Sequence, residues 1–447
     1  MQVHHRLIIR HPLQPAILVV DDNGEVRLPA FTSDDHHTAE VGYINAAAQE
    51  QFGLLTTVLR SLHHSAPRGN VVVRVHELET HGSSTTLRSH RLRWCGHAEL
   101  LSLPDGEDQA AIAMWRGDET GPGTTVDGRE WARPGWLKEV CRWIEQALRD
   151  VGLGTVRDII QVRAWSTSCV LCVHATSGDY YFKAVPESLR RECAVTTYLA
   201  QHFPDAVPQV IATEPARRWL LMAACTGRKL EEVTDVVLWE RAAVQYARLQ
   251  VACVSRVREL EALGCVRRSL GALAEALGPL STDTAALRPG EPDGLSATEI
   301  DQLQTCVPLL QGHCAQLAAC GIPHTIEHGD LWPGNFLVGQ DTCVLIDWED
   351  VAIAHPFFSL APLRVGLSQS KLSSPALLDR LEHAYLTAYA ELAPLEQLRT
   401  ALDIAAPLSF IDMAIRYKHQ PPSVVRLHPW MRDLVPQTLR LALACTV

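Results

Sequence analysis

His328-Gly329-Asp330-Leu331-Trp332-Pro333-Gly334-Asn335 and, soon after it, Val344-Leu345-Ile346-Asp347-Trp348 decide how the rest of this chain is read. Asp330 and Asn335 stand five positions apart, and Asp347 ends an apolar, strand-like run 12 positions after the Asn. Oxygen donors spaced in this way suit phosphoryl transfer. That chemistry needs a carboxylate that orients an accepting hydroxyl and takes its proton. It needs oxygen ligands for Mg²⁺, a hard cation. It needs both fixed before reaction, because positioning and electrostatics supply nearly all of the catalysis. A loop holding Asp330 and Asn335, beside a strand end holding Asp347, meets these needs.

The combined pattern, HGDxxxxN then an apolar run and IDW, resembles the signature of aminoglycoside phosphotransferases and the related choline kinases. The resemblance covers about residues 155 to 420. Protein kinases usually carry Arg at the place of Gly329 and DFG at the place of Asp347-Trp348-Glu349. The resemblance implies a kinase that uses ATP and Mg²⁺ and phosphorylates a hydroxyl of a small molecule: aminoglycoside-, sugar- or choline-like. Asp330 would be the catalytic base or hydroxyl-orienting residue, and Asn335 and Asp347 would bind the metal. His328 would brace the loop, and Asp350 would stabilise a turn.

Further residues follow from the same resemblance. Lys183, in Tyr181-Phe182-Lys183-Ala184-Val185, matches the strand lysine that contacts the ATP α- and β-phosphates. Glu192, on the next helix, would hold that lysine through an ion pair. Glu187 is a rival, but it lies too close to the strand end. Ser166, Thr167 and Ser168 occupy the turn where protein kinases place glycines, and their hydroxyls would cap the phosphates; a plain polar turn reads equally well. The adenine pocket is expected near Leu220 to Ala224, with Met222 and Ala224 contributing backbone groups.

The order of elements agrees with an α+β, kinase-like bilobal fold preceded by a small α/β domain. Residues 1–130 form the small domain, 131–154 a linker helix, 155–224 a β-rich small lobe and 225–447 a helical large lobe. The spacing of Trp136, Val140, Trp143, Ile144 and Leu148 predicts one apolar helical stripe. Ser177-Gly178-Asp179 signals a hairpin. Residues 40 to 62 read as a helix interrupted or capped near Gly53, Gln109 to Trp115 as a strand, and Gly121 to Thr125 as a boundary. A Pro/Gly-rich loop is expected from Gly278 to Gly294. The first domain resembles a degenerate Nudix fold, with Ala46, Ala47 and Gln51 where the box needs charged residues, and Glu50 retained. That pattern implies packing or recognition rather than hydrolysis.

Composition narrows the rest. A net charge of -11 disfavours nucleic acid as a partner. Thirteen cysteines without framework spacing fit reduced thiols in a cytoplasmic protein. Cys169 and Cys172 point to opposite faces of a strand and could not share a metal. His4-His5, His36-His37 and His63-His64 read as surface residues. No run of 18 apolar residues predicts a membrane span. Two rivals remain: a protein kinase, and a regulatory or nucleotide-sensing protein with a kinase-like lobe. Oligomeric state is not legible.

Overall fold

The structure, a computed structural model, describes residues 2–34, 36–65, 69–82, 87–96, 99–102, 106–117, 129–420, 424–425 and 428–446. Two compact units divide the chain. One comprises residues 1–188, 211–222 and 422–429; the other comprises 189–210, 223–421 and 430–447. The expected boundary at Gly121 to Thr125 lies outside the described residues.

In the first unit, β1 (Gln2–Arg10), β2 (Ala16–Asp22), β3 (Glu25–Arg27), β4 (Ala30–Asp34), β5 (Leu55–His64), β6 (Val71–His81) and β7 (Leu92–Gly96) form one sheet. The order is β3-β2-β1-β6-β5, with β4 on β1 and β7 on β2; β1 and β6 are parallel. Consecutive strand residues face opposite sides. Leu7 and Ile9 therefore pack with α1 (Gly42–Phe52), while Ile8 packs with α2 (Glu107–Gly117) across the sheet. Helices on both faces of this sheet make an α/β arrangement, and two segments differ from expectation. The helix that ends at Gly53, which is left-handed at φ 77°, gives way to strand β5 rather than continuing to residue 62. Residues 109 to 115 belong to helix α2. Their run Ala-Ala-Ile-Ala-Met-Trp is too short for period to tell helix from strand.

His5 is also not a surface residue; it is fully buried. Ser33 Oγ donates to the Asp34 carbonyl at 2.7 Å, so it accepts from His5 Nε2 at 3.0 Å. His5 Nδ1 then accepts from His76 Nε2 at 3.1 Å, and His76 Nδ1 accepts from Ser61 Oγ at 3.1 Å. The network assigns each tautomer. Burial pushes His5 down to about 3, so the relay stays neutral.

The same unit holds α3 (Trp136–Asp150) and a five-stranded sheet ordered β11-β12-β10-β9-β8. These strands are β8 (Val156–Ala164), β9 (Cys169–Ala175), β10 (Gly178–Ala184), β11 (Val210–Glu214) and β12 (Trp219–Ala223). The α3 stripe buries as expected. Trp136 and Trp143 pack against Phe182 and Trp219, with centroids 5.6 to 6.4 Å apart. The first sheet's domain is tied to β8. Val41 donates its N–H to the Val162 carbonyl at 3.2 Å, and Ala164 donates to the Ala39 carbonyl at 3.0 Å. The buried Gln161 side chain donates to Val58 O at 2.9 Å and accepts the Val58 N–H at 2.8 Å.

The second unit is largely helical. It contains α4 (Arg191–His202), β13 (Arg228–Lys229), α5 (Val236–Cys253), α6 (Val257–Ala262), β14 (Val266–Arg267) and α7 (Leu270–Ser281). Next come α8 (Thr284–Leu287), α9 (Ala297–Ala319), β15 (Thr325–Glu327), β16 (Phe336–Val338), β17 (Cys343–Leu345) and β18 (Ala352–Ala354). It closes with α10 (Leu360–Gln369), α11 (Pro375–Thr387), α12 (Leu395–Lys418) and α13 (Leu434–Ala444). Helix α7 runs through Pro279 to Ser281, so the expected loop starts later than Gly278 and contains α8. No helix among the described residues is long and apolar enough to cross a membrane.

Candidate active site

In the second unit, the fully buried strand β15 delivers the chain into the His328–Asn335 loop, which closes with a short turn at Pro333–Asn335. The β16–β17 hairpin then doubles back, pairing Phe336 with Leu345 and Val338 with Cys343. Antiparallel register carries the ends together: Ile346 donates its N–H to the Asn335 carbonyl at 2.9 Å. Asp347 thus follows the residue bonded to Asn335. Asp347 adopts a left-handed backbone, φ 69°, and a turn at Trp348–Asp350 follows. A non-glycine residue there is strained by about 1–3 kcal/mol, and such strain collects at functional sites.

Asp330 and Asn335 are brought into direct contact. Asn335 Nδ2 donates to the Asp330 carbonyl at 2.9 Å and to Asp330 Oδ2 at 3.0 Å. With its amide hydrogens spent on Asp330, Asn335 has Oδ1 as its remaining polar atom, an oxygen of the kind hard cations take. Burial, and then the carboxylates of Asp350 and Asp347, push Asp330 up to about 6. A carboxyl so shifted gives up or takes a proton near neutral pH.

His328 braces the loop. Its Nδ1 accepts the Asp330 N–H at 3.3 Å, which leaves Nε2 to donate to the Ile346 carbonyl at 3.0 Å. One imidazole therefore spans the two halves of the motif. Gly329 has φ +85°, and a Cβ there would lie 2.4 Å from the Asp350 carbonyl oxygen. The loop passes too close to the turn after Asp347 for any side chain.

Glu192, in the first turn of α4, is buried. One carboxylate oxygen each from Glu192, Asp347 and Glu349 lie within 4.8 Å of one another. Among the described residues this is the group whose donors could jointly hold a metal ion. Its all-oxygen character fits Mg²⁺. Glu349 was missed in the sequence, where nothing but adjacency to Asp347 pointed to it.

The other expected residues are placed as follows. Lys183 is buried in β10 opposite Val170 of β9. Glu187, the rival acid, is exposed and pairs with Arg218 at 2.9 Å. Trp165 to Ser168 form a tight turn, with the Trp165 N–H bonded to the Ser168 carbonyl at 2.8 Å. Ser168 is buried and Thr167 half-buried. The Ser166 hydroxyl is buried without a hydrogen-bond partner among the described residues. It lines a small cavity with Ser61, Arg129 and His428, while the Trp165 ring stacks on His428 at 3.7 Å. Met222 is half-buried at the end of β12 in the first unit, and Ala224, in the second unit, is half-buried just beyond it.

A family model described as the phosphotransferase enzyme family matches residues 158–395. Three solved structures are similar in fold. Macrolide 2'-phosphotransferase MphH from Brachybacterium faecium is 16% identical, covering 67% of this chain and 98% of that one, with a TM-score of 0.45. Choline kinase from Cryptosporidium parvum Iowa II is 12% identical, covering 69% and 94%, with a TM-score of 0.50. Plasmodium vivax ethanolamine kinase is 13% identical, covering 76% and 97%, with a TM-score of 0.47. No curated protein matches the chain.

Proposed function

Because the chain belongs to the phosphotransferase enzyme family, we propose that it moves the γ-phosphoryl group of ATP to a hydroxyl of a small molecule. The observation that carries this reading is the joined pair Asp330–Asn335, set beside Asp347 by the register of one hairpin. Asp330 orients the acceptor hydroxyl. It takes the hydroxyl proton as the new O–P bond forms and the bond to the departing ADP oxygen breaks. Asn335 holds Asp330 in that orientation through its amide, and His328 fixes the loop. Asn335 Oδ1 and Asp347 would hold Mg²⁺, with Glu349 beside them. Bound Mg²⁺ supplies charge neutralisation on the phosphates. Lys183 contacts the α- and β-phosphates and Glu192 orients it; Ser166, Thr167 and Ser168 form the phosphate turn, and Met222 and Ala224 flank the adenine.

The test is a panel of aminoglycosides, amino alcohols, sugars and macrolides incubated with γ-labelled ATP and Mg²⁺. Label recovered on one acceptor, in stoichiometry with ADP, is the expected result. ATP left intact with every acceptor, or label transferred to protein, would overturn the reading.

A further inference from the structure

Glu327, the residue before the His328–Asn335 loop, is 2% exposed, and both of its oxygens are engaged. Oε1 accepts the Gly329 N–H at 3.0 Å and the Ser359 hydroxyl at 3.2 Å. Oε2 takes the Arg268 guanidinium. Arg268 also donates to Asp412 Oδ2 at 3.0 Å, and the same oxygen accepts from Arg416 Nε at 3.3 Å. Arg416 in turn reaches Asp350 at 3.9 Å. The Asp350 backbone is the surface against which Gly329 packs. Glu327, Arg268, Asp412, Arg416 and Asp350 thus close a ring of alternating charge around Gly329, and Asp330 is the next residue.

Such a ring is a costly way to gain stability. Taking a buried ion such as Glu327 out of water is costly, and an apolar replacement of a buried pair is often neutral or stabilising. What the ring supplies is direction. Gly329 is held from one side by a charge-assisted hydrogen bond and from the other by contact with Asp350, so its left-handed conformation has little freedom. Arg268 follows β14, which pairs with β18, and it donates its own N–H to the Ile353 carbonyl at 2.8 Å. Its backbone is therefore anchored independently of the loop, and Asp412 holds its guanidinium from the far side. Tyr246 completes the support: its hydroxyl accepts the His328 N–H at 3.0 Å and pairs with Ser359 at 2.7 Å.

We propose that Glu327 is a positioning residue for phosphoryl transfer: through the Gly329 N–H it sets the orientation of Asp330, and Arg268 holds it in the conformation that does so. This rests on the phosphotransferase reading above. It goes beyond it in assigning a role to a residue that touches neither nucleotide nor acceptor.

Three full-length variants test it. Glu327→Leu removes both contacts, Glu327→Gln keeps an oxygen for Gly329 but loses the ion pair, and Arg268→Lys keeps the charge but loses the fork. Kinetics and backbone hydrogen exchange across residues 327–331 are read together. Glu327→Leu is expected to lower kcat about 100-fold, the effect of roughly 1 Å misplacement, with KM for Mg-ATP changed less than about twofold. Glu327→Gln should recover part of that loss, and exchange at Gly329 should speed up in the order Gln then Leu. Arg268→Lys should resemble Gln. Unchanged kcat in folded Glu327→Leu would overturn the proposal. So would a loss confined to nucleotide affinity, or one without faster exchange at Gly329. If Leu fails to fold, Gln and Lys with wild-type kcat and exchange would overturn it equally. Wild-type protein inactive on every acceptor would refute the phosphotransferase reading instead, and exchange at Gly329 would still report whether Glu327 clamps the loop.

Discussion

Replacing Gly329 by Ala asks how tightly the loop and the turn after Asp347 are fitted. The added Cβ would lie 2.4 Å from the Asp350 carbonyl oxygen, 2.5 Å from its Cβ and 2.8 Å from its carbonyl carbon. All three atoms belong to backbone or to its first side-chain atom, so none can swing aside. Ordinary contact would need about 1 Å more. An L-residue held at positive φ adds about 1–2 kcal/mol, and overpacking adds about 1–3 kcal/mol. If the fold absorbs all of this, stability falls by about 2–5 kcal/mol; at roughly 2–4 °C per kcal/mol for units of this size, Tm drops by about 4–20 °C. If the loop instead shifts by about 1 Å, turnover falls about 100-fold while Tm moves less. Differential scanning calorimetry with steady-state kinetics separates the two. Gly312→Ala is the control, since nothing lies within 4 Å of its Cβ inside α9; it should gain about 0.4–1 kcal/mol. Gly329→Ala with Tm within a degree of wild type and full turnover would refute the argument from close approach.

Three more outcomes are expected. Asp330→Asn should bind Mg-ATP but lose about 10²–10⁴-fold in turnover, whereas Asp347→Asn should weaken metal binding itself and respond to added Mn²⁺; calorimetry beside turnover checks both, and a reversed pattern would exchange the roles. Lys183→Ala should lower kcat/KM for ATP by tenfold or more with the fold intact by circular dichroism; an unchanged value would remove Lys183 from the site. Burial holds His355 down at about 3, so the unfolded chain binds the extra proton below its ordinary 6.5, and stability present above that pH is lost as pH falls toward 3. Between pH 6.5 and 5 the loss is about 2 kcal/mol for this one imidazole, and urea titrations should show His355→Phe unfolding with about one proton less taken up; an equal uptake would contradict the burial.

The residues read from the motif come together because the pattern that holds them is local. His328 to Asn335 and Asp347 are close in sequence, and hairpin β16–β17 needs only a short turn to join them. The bracing role expected for His328 is met by its two ring bonds. Glu327 and Arg268 could not be read, because their ion pair spans 59 positions and that of Arg268 with Asp412 spans 144. A buried Arg looks like any surface Arg until packing is known. The two element errors in the first unit share a root: neither segment's periodicity separates helix from strand, and pairing with β6 makes 55–64 a strand whereas 109–115 packs on the sheet as a helix. His5 was misread because its partner His76 comes from another strand.

Strand β8 stands last in its sheet order, so one side of its backbone would otherwise be open. Residues 39 to 41 close that side at Val162 to Ala164. Exposed strand edges recruit other chains and seed aggregates. During synthesis the closing segment leaves the ribosome more than a hundred residues before β8 does. The edge therefore meets a cover already made. A shortened chain that begins after the first domain should emerge with a sticky margin, and should be lost to aggregation before any defect in catalysis could be seen.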